Sequence, residues 1–330
     1  MKSKYFRIAT WSVAMAISFA AFSLQSHAQA WPNHPLRLIV PFEQGGTYDL
    51  TARLLSLHLV PVLGQPVLVE NRAGAGGNIA TEYVAKQPPD GYTILIAGSV
   101  HVINASFYDK LPYDPIKDFD AVSLLTTSSL LLTANASSRA TNMKELVALA
   151  QSQPKGLSYG SAGVGTPLHF AAEMVRSATH ANFVHIPYKG SGGIAPALLA
   201  GHIDFAVTGT NSVLPGIRSG RLRALATMST SRSSTLPDIP TIAEALSIPG
   251  LALETWIGAL VPAGTPKVII TRLHTEMSRI VRNPQIVKEK FAPIDMEGVG
   301  STPEQYMDIL KSDLQKFSKL AKEANIRPNQ

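Results

Sequence analysis

Short apolar runs rich in β-branched residues alternate with amphipathic stretches along most of this chain of 330 residues. Several apolar runs are nearly continuous, which is typical of parallel strands covered on both faces. The alternation predicts an α/β fold in which helices flank mainly parallel sheets. The predicted strands are 36–40, 67–69, 93–97, 122–126, 130–133, 183–186, 203–208 and 222–226. The predicted helices between them are 50–59, 79–86, 143–151, 168–178, 194–200 and 213–219.

The pattern changes after Pro266, where amphipathic helices predominate. The longest of these are predicted over 268–281 and 303–323, and we expect them to pack around a completed sheet. The length and the apolar content of 45% allow one large core or two ordinary ones. Two similar α/β lobes, with chain crossings near 126–130 and 251–255, fit this length.

The first 30 residues have the composition of a secretory signal peptide. Three basic residues precede an apolar run over 11–24, and Ala28-Gln29-Ala30 supplies the small residues of a cleavage site. The apolar run is shorter than the ~20 residues needed to span a bilayer. The chain has no cysteine, so it has neither disulfides nor an acceptor for a lipid anchor. The sequence therefore predicts a periplasmic protein that is cleaved after Ala30 and is not lipid-anchored.

The charge balance does not favour a nucleic-acid partner. Without the leader, 26 basic residues stand against 23 acidic residues, which lowers the net charge from +6 to +3. The nine histidines show no metal-binding spacing, and no thiolate is available. We therefore expect no metal ion and no cofactor.

The most informative motif is a glycine-rich turn at 159–169, which reads Tyr-Gly-Ser-Ala-Gly-Val-Gly-Thr-Pro-Leu-His. Thr166 suits the N-cap of the following helix, and Pro167 suits its first position. The backbone N–H groups of Gly165, Thr166 and Leu168 should then lack helical partners and point outward, where the helix dipole favours an anion. The Lys and the Ser or Thr of a nucleotide phosphate loop are missing, so a small oxyanion such as a carboxylate fits better. An ordinary capped turn is the alternative.

A second glycine-rich loop, 41–49, follows the first predicted strand. Gly45 and Gly46 allow a ligand to approach the backbone, and Asp49 either caps the next helix or fixes a water molecule. Ligands of open α/β sheets bind beyond the carboxyl ends of strands, where such loops lie. The loop 41–49 and the turn 159–169 should therefore face one cleft.

Other residues near strand ends have weaker signals. The loop 70–78 lacks the spacing of a dinucleotide site, and we expect Asn78 to cap the next helix. Ser99 and His101 could line the same cleft or cap a short helix. Lys189 could approach an anion, although a surface turn is the simpler interpretation.

Catalytic motifs are weak in this sequence. No serine lies in a Gly-x-Ser-x-Gly motif, and His169 is a lone histidine near the start of a helix. A secreted hydrolase that uses Ser161 and His169 is the rival hypothesis from another functional class. We expect the protein not to be an enzyme.

These motifs, in this order and behind a leader, resemble the Bug family of periplasmic solute receptors, which serve tripartite tricarboxylate transporters. The resemblance extends over essentially the whole mature chain. The matching segments are Trp31-Pro32, Pro-Phe-x-x-Gly-Gly-x-x-Asp at 41–49, Glu-Asn-Arg-x-Gly-Ala-Gly-Gly-Asn at 70–78, Asp-Gly-Tyr-Thr at 90–93, Tyr-Asp-Pro-x-x-Asp-Phe at 113–119, Gly-Ser-Ala-Gly-Val-Gly-Thr-Pro-x-His at 160–169, Pro-Tyr-Lys-Gly at 187–190 and Leu-Pro-Asp-Ile-Pro-Thr at 236–241.

The resemblance implies a two-lobed periplasmic binding protein, a type II-like clamshell whose first lobe is discontinuous. Residues 31–128 and 253–330 would form the first lobe, and residues 129–252 the second. A carboxylate would be held between the loop 41–49 and the loop 161–169, partly through bridging waters. The ligand-binding residues implied in this way are Phe42, Gly45, Gly46, Asp49, Ser99, Ser161, Ala162, Gly163, Gly165, Thr166, His169 and Thr208.

Two positions depart from the family pattern. Glu43 and Gln44 replace small or apolar residues before the glycine pair, and Thr208 stands where many relatives have an acidic residue. Because an acid at position 208 could meet an amino group, its loss argues against an amino-acid ligand. Glu43 could offset that loss or could face solvent. The implied partners are a small carboxylate and the integral-membrane components of a transporter, with the receptor a monomer. A receptor that signals to a membrane sensor kinase is the alternative within the same fold.

Overall fold

The computed structural model describes residues 31–108, 110–188, 190–233, 235–323 and 326. The predicted leader, its cleavage after Ala30 and Lys189 lie outside the described residues. Within the described part of the chain, no helix combines the length and the apolar character needed to cross a membrane.

Strands and helices alternate as the hydrophobic pattern predicts. The strands are β1 (Leu36–Val40), β2 (Val67–Asn71), β3 (Thr93–Gly98), β4 (Phe119–Ser128), β5 (Leu130–Asn135), β6 (Leu157–Ser161), β7 (Phe183–Pro187), β8 (Phe205–Gly209), β9 (Leu222–Thr227), β10 (Thr255–Pro262) and β11 (Met296–Gly298). The helices are α1 (Thr47–Leu63), α2 (Asn78–Ala85), α3 (Val100–Phe107), α4 (Met143–Ser152), α5 (Pro167–Thr179), α6 (Ile194–Leu199), α7 (Thr210–Arg218), α8 (Ile242–Leu246), α9 (Lys267–Val281) and α10 (Pro303–Glu323). Short helical turns at Pro284–Ile286, Val287–Phe291 and Ala292–Ile294 precede β11.

The strands form two sheets, and each sheet with its helices is one lobe. The first lobe contains a six-stranded sheet in the order β11-β4-β10-β3-β1-β2, and the second a five-stranded sheet in the order β7-β6-β8-β5-β9. This arrangement confirms the predicted α/β class with helices flanking two sheets.

Each sheet is mixed, which corrects the expectation of mainly parallel sheets. Pairing is parallel between β1 and β2, β1 and β3, β6 and β7, and β6 and β8. It is antiparallel between β10 and β3, β10 and β4, β11 and β4, β5 and β8, and β5 and β9. The physical reason is the connectivity: β4 leads straight into β5, and β10 returns from the second lobe without a helical crossover of its own.

The two lobes repeat one arrangement of strands and helices. In the first lobe the parallel neighbours β1 and β3 lead into α1 and α3, and in the second lobe the parallel neighbours β6 and β8 lead into α5 and α7. The carboxyl ends of parallel neighbours lie at the same edge of a sheet. Each lobe therefore presents two helix N-termini side by side.

Helix α3 and the strands β10 and β11 are among the elements that lie outside the predicted ranges. Helix α3 contains Val100, Val102 and Ile103, and such β-branched residues lower intrinsic helix propensity. Strand β10 begins where a crossing between lobes was expected, and β11 has only three residues. Tertiary packing decides all three, because α3 packs on α10 and β10 lies between β3 and β4.

Candidate functional site

A cavity of about 420 Å³ lies where loops of the two lobes meet. This volume is within the range of ligand pockets, about 300–1,000 Å³. Most of the lining comes from the loops after β1, β3, β6 and β8 and from the chain crossings between the lobes. The lining residues are Phe42, Gly46, Thr47, Tyr48, Gly76, Ser99, Val100, Asn104, Tyr108, Ser128, Ser129, Leu130, Ala162, Val164, Gly165, Thr166, Pro167, Leu168, Ser191, Gly209, Thr210, Asn211, Ser212, Thr255, Ile294 and Met296.

Four helix N-termini converge on this cavity. The N-cap residues of α1, α3, α5 and α7 all line it, and they are Gly46, Ser99, Thr166 and Gly209. Only Thr166 caps its helix with a side chain, since no capping hydrogen bond forms at the other three. Each helix N-terminus carries roughly half a positive charge together with unpaired N–H groups. The cavity wall therefore carries the partial positive charges of four helix N-termini.

The lining contains no Asp, Glu, Lys, Arg or His among the residues that the structure describes. Its polar groups are hydroxyls, amides and backbone N–H groups, and the remainder is apolar, including Phe42, Leu130, Val164 and Met296. Among the described lining residues, a negatively charged group would meet dipoles and neutral donors and no formal counter-charge. A positively charged group would find no anionic partner among the same residues.

The loop after β1 owes its shape to Asp49. Asp49 is 2% exposed, and its Oδ2 accepts hydrogen bonds from the Gly45 N–H at 3.0 Å and from Arg53 Nε at 2.9 Å. Asn71 Nδ2 donates to Asp49 Oδ1 and to the Phe42 carbonyl, each at 3.0 Å. Burial opposes ionisation, but the hydrogen bonds from Arg53, Gly45 and Asn71 hold the pKa of Asp49 below its usual value. Asp49 thus orders the loop from behind the cavity wall.

Tyr48 forms part of the wall and leaves no room for a side chain at the end of β3. Its ring lies against Phe42, with ring centroids 4.7 Å apart. A Cβ at Gly98 would overlap the Tyr48 hydroxyl and ring. Glycine is therefore required at Gly98 so that Tyr48 can lie between the loop and β3. Burial raises the pKa of Tyr48, so its hydroxyl stays protonated as a donor.

The glycine-rich turn after β6 is held mainly by its own hydrogen bonds. Thr166 Oγ1 donates to the Gly163 carbonyl at 2.7 Å and accepts from the His169 N–H at 3.4 Å. The Gly165 N–H donates to His169 Nδ1 at 3.2 Å, and the Thr166 N–H donates to the Gly163 carbonyl at 3.4 Å. This corrects the expectation that the N–H groups of Gly165, Thr166 and Leu168 all point outward. Of the three, Leu168 alone has its N–H outside these bonds.

Two stacked imidazoles lie behind this turn. The rings of His169 and His185 are 4.0 Å apart with an interplanar angle of 11°, and His185 Nε2 is 2.6 Å from Ser161 Oγ. Burial lowers the pKa of each histidine to about 4, with contributions from Arg176 for His169 and from His169 for His185. Both rings are neutral near pH 7, and His169 Nδ1 can then accept from Gly165. The pair supports the turn from inside the second lobe.

The arrangement gives no support to a Ser161–His169 hydrolase. Ser161 is 0% exposed and lies off the cavity wall, and its imidazole neighbour is His185. His169 bonds the turn through Nδ1. A nucleophile must reach its substrate, and this hydroxyl does not border the cavity.

The loop after β2 also reaches the cavity, through Gly76. Asn104 Nδ2 donates to the Gly76 carbonyl at 2.9 Å and to Asn78 Oδ1 at 2.8 Å, and the Tyr113 hydroxyl donates to the same Asn78 oxygen at 2.7 Å. The N-cap of α2 is Gly77, so the expectation that Asn78 caps this helix is wrong. Asn78 ties the loop to α3 instead.

Ser99 and His101 have different environments although they are two residues apart. Ser99 is 1% exposed, lines the cavity, and its Oγ has no hydrogen-bond partner among the described residues. His101 lies in the core, where its Nε2 is 2.8 Å from the Pro115 carbonyl and its ring contacts Phe119. Burial lowers the pKa of His101 to about 4, which the bond to Pro115 only partly offsets. Ser99 is therefore a buried serine of the cavity wall with an unpartnered hydroxyl, whereas His101 is a core residue.

The structure brings half of the predicted site residues to the cavity wall. Those on the wall are Phe42, Gly46, Ser99, Ala162, Gly165 and Thr166. Those that do not line it are Gly45, Asp49, Ser161, Gly163, His169 and Thr208. Thr208 is 0% exposed within β8, and the next residue, Gly209, lines the cavity. Glu43 and Gln44 are exposed and lie off the wall.

The predicted site residues include neither the start of α7 nor the residues at the chain crossings that line the cavity. Thr210, Asn211 and Ser212 form the first turn of α7, directly after β8. Gly209 before this hydroxyl-rich turn is the signal that could have found it. Ser128 and Thr255 pair across β4 and β10, with their hydroxyl oxygens 2.7 Å apart. Nothing in the local sequence indicates that pairing.

Comparison with known proteins gives a consistent result. Residues 51–326 match the family model described as tripartite tricarboxylate transporter family receptor. Protein BugT of Bordetella pertussis is 33% identical over 317 residues, which are 96% of this chain and 97% of BugT.

Two solved structures of relatives contain bound dicarboxylates. Rpa4515 of R. palustris with adipate is 32% identical, with a TM-score of 0.79 and coverage of 90% of this chain and 99% of that chain. MatC from Rhodopseudomonas palustris with bound malate is 27% identical, with a TM-score of 0.75 and coverage of 88% and 99%. The resemblance to Bug proteins and the two-lobed periplasmic binding protein fold are confirmed.

Proposed function

We propose a function for this chain from the family to which it belongs, the tripartite tricarboxylate transporter family receptors. The protein captures a small organic carboxylate between its lobes and delivers it to a membrane transporter. The observation that carries the proposal is the convergence of four helix N-termini on one cavity without a charged side chain on its described wall. A single carboxylate can accept several hydrogen bonds from such donors. The relatives with adipate and malate support the same ligand class.

The neutral wall also defines what the receptor should reject. An amino acid brings an ammonium group, which would lose its hydration without gaining an anionic partner among the described lining residues. The apolar part of the wall accommodates an aliphatic or aromatic body. We therefore propose a carboxylate without a cationic group as the ligand.

Binding would trap the ligand by closing the two lobes. We propose that residues 31–128 with 253–330 and residues 129–252 move as the two bodies, since the chain crosses between the sheets near Ser129 and before β10. A ligand shifts this equilibrium only by its differential affinity for the closed form. We further propose that the mature protein begins at Trp31, is free in the periplasm, acts as a monomer and performs no chemistry.

A thermal-shift screen over mono-, di- and tricarboxylates, aromatic acids and amino acids tests this proposal. At least one carboxylate without an amino group should raise the melting temperature in a concentration-dependent way. Failure of every carboxylate would sink the proposal. A sensor kinase gene beside this one would favour signalling, and permease genes would favour transport.

Thr166 provides a test of the turn after β6. Thr166→Val removes the hydroxyl that bonds Gly163 and His169, so the unfolding free energy should fall by ~1 kcal/mol and carboxylate affinity by about tenfold. Thr166→Ser keeps the hydroxyl and serves as the matched control. Calorimetric titration and urea unfolding report the two effects. Unchanged affinity with lowered stability would mean that Thr166 only caps α5.

A further inference from the structure

A carboxylate of the first lobe is hydrogen-bonded to the second lobe beside the cavity. Asp295 lies between the turn Ala292–Ile294 and β11, a strand of the six-stranded sheet. Its Oδ2 accepts from Thr210 Oγ1 at 2.6 Å, and its Oδ1 accepts from Ser233 Oγ at 2.5 Å. Thr210 begins α7 and Ser233 follows β9, so both donors belong to the second lobe.

The environment of Asp295 is unusual for a structural carboxylate. Its exposed fraction is 8%, and it forms no ion pair with a Lys, Arg or His of the described chain. A buried charge with only neutral donors is costly to maintain. The N-terminus of α7, where Gly209 provides no side-chain cap, offsets part of this cost. Stability alone would favour a neutral residue here.

The backbone conformation of Asp295 also favours a functional interpretation of this position. Its φ of 57° is in the left-handed region, which Asp, Asn and Gly tolerate better than other residues. Such conformations persist where the surrounding structure holds them, often at functional sites. The fold thus keeps a left-handed backbone conformation and a buried carboxyl group at one position.

This position borders the ligand cavity. Ile294 and Met296 on either side of Asp295 line the cavity, and so does Thr210. Met296 also pairs with Ser128 at the end of β4, where the chain crosses to the second lobe. The two bonds of Asp295 therefore join the lobes between the crossing and the ligand.

We infer that Asp295 is a positioning residue that braces the two lobes against each other and slows ligand release. It acts through Thr210 and Ser233, and it holds the N-terminus of α7 against the wall segment that contains Ile294 and Met296. The effect on release rests on the carboxylate-receptor function proposed above.

Two variants separate the effect of the Asp295 hydrogen bonds from the effect of the backbone conformation at this position. Asp295→Asn and Asp295→Gly both tolerate the left-handed φ, but the first weakens the hydrogen bonds and the second removes them. Asp204→Asn is the matched control, because Asp204 Oδ2 accepts from the Ser158 N–H and Oγ, each at 2.7 Å, within the second lobe.

Ligand release is measured by stopped flow with the strongest carboxylate of the screen. The dissociation rate should rise about tenfold in Asp295→Asn and further in Asp295→Gly, because hydrogen bonds to a charged group are lost. Asp204→Asn should release ligand at the wild-type rate. Urea unfolding of all three variants shows whether they differ in stability.

The lobes are followed directly without a ligand. The chain has no cysteine, so Leu57→Cys on α1 and Lys144→Cys on α4 together introduce one pair of spin labels at exposed positions of the two lobes. The interlobe distance distribution should broaden or shift in Asp295→Gly and match the wild type in Asp204→Asn.

The outcomes distinguish the two proposals. If the wild type binds no carboxylate, the proposed function fails, and the label distances still test the brace. If the wild type binds but the Asp295 variants leave both the release rate and the distances unchanged, the brace is overturned. Lost stability alone, with release and distances as in Asp204→Asn, would also overturn it.

Discussion

Replacement of Ser99 by aspartate should reduce carboxylate affinity by at least about 100-fold. Ser99 lies at the start of α3 on the cavity wall, and its hydroxyl has no hydrogen-bond partner among the described residues. Two carboxylates ~6 Å apart repel by about 3 kcal/mol at an effective dielectric constant of about 20, which corresponds to this factor. The new charge would sit among the helix N-termini that we propose hold the ligand.

The same substitution should leave folding intact. An acidic residue at a helix N-terminus interacts favourably with the helix dipole, so the free energy of unfolding of Ser99→Asp should stay close to that of the wild type. The side chain in Ser99→Asn has nearly the same shape as that in Ser99→Asp but carries no charge. Ser99→Asn should therefore lose no more than about tenfold in carboxylate affinity. Calorimetric titration of the three proteins measures the difference. Equal affinities for Ser99→Asp and Ser99→Asn would show that the ligand carboxylate lies away from α3.

Mild acid should destabilise the protein strongly. Burial lowers the pKa of His101, His169 and His185 to about 4, below the ordinary value of about 6.5 for histidine. The unfolded chain therefore takes up protons at a higher pH than the native protein. The contribution of these neutral histidines to the free energy of unfolding is fully present above about pH 6.5, and it is lost as the pH decreases toward about 4. At about pH 5 the buried His101 should lower the unfolding free energy by on the order of 2 kcal/mol, and the stacked pair His169 and His185 should add to this loss.

Urea unfolding at about pH 7, 6 and 5 measures this loss. His101→Phe removes one of the three groups and should reduce the pH dependence by roughly a third, although it also loses the bond to Pro115. His202→Gln, which removes an exposed histidine, is the control variant. A loss below about 1 kcal/mol between pH 7 and 5 would contradict the account of these histidines.

The position of the cleft could be predicted from sequence because it depends on local signals. Gly45-Gly46 and the turn before Pro167 each mark a strand-to-helix connection, and the structure places Gly46 and Thr166 at helix N-caps on the cavity wall. Such connections lie at the carboxyl ends of strands, where α/β proteins bind ligands. The fold class follows from the same alternation of strands and helices.

The direction in which individual groups point could not be predicted in this way. The sequence predicts that the Gly165 N–H faces a ligand, but it donates to His169 of α5. The His169 ring is held in turn by stacking on His185 of β7. The antiparallel entry of β10 depends on the return of the chain from the second lobe. The contact of Asp295 with Thr210 spans 85 positions in the sequence. These features arise from long-range packing, which a local pattern does not contain.

The central claim is that the cleft recognises negative charge through dipoles and neutral donors. Its most direct test is calorimetric titration at about pH 7 of the strongest carboxylate from the screen and of the primary amide of the same molecule. The two ligands have nearly the same shape and differ in charge. The carboxylate should bind at least about 100-fold more tightly, as expected for charge-assisted hydrogen bonds to several donors. Equal affinity of the acid and its amide would contradict the account.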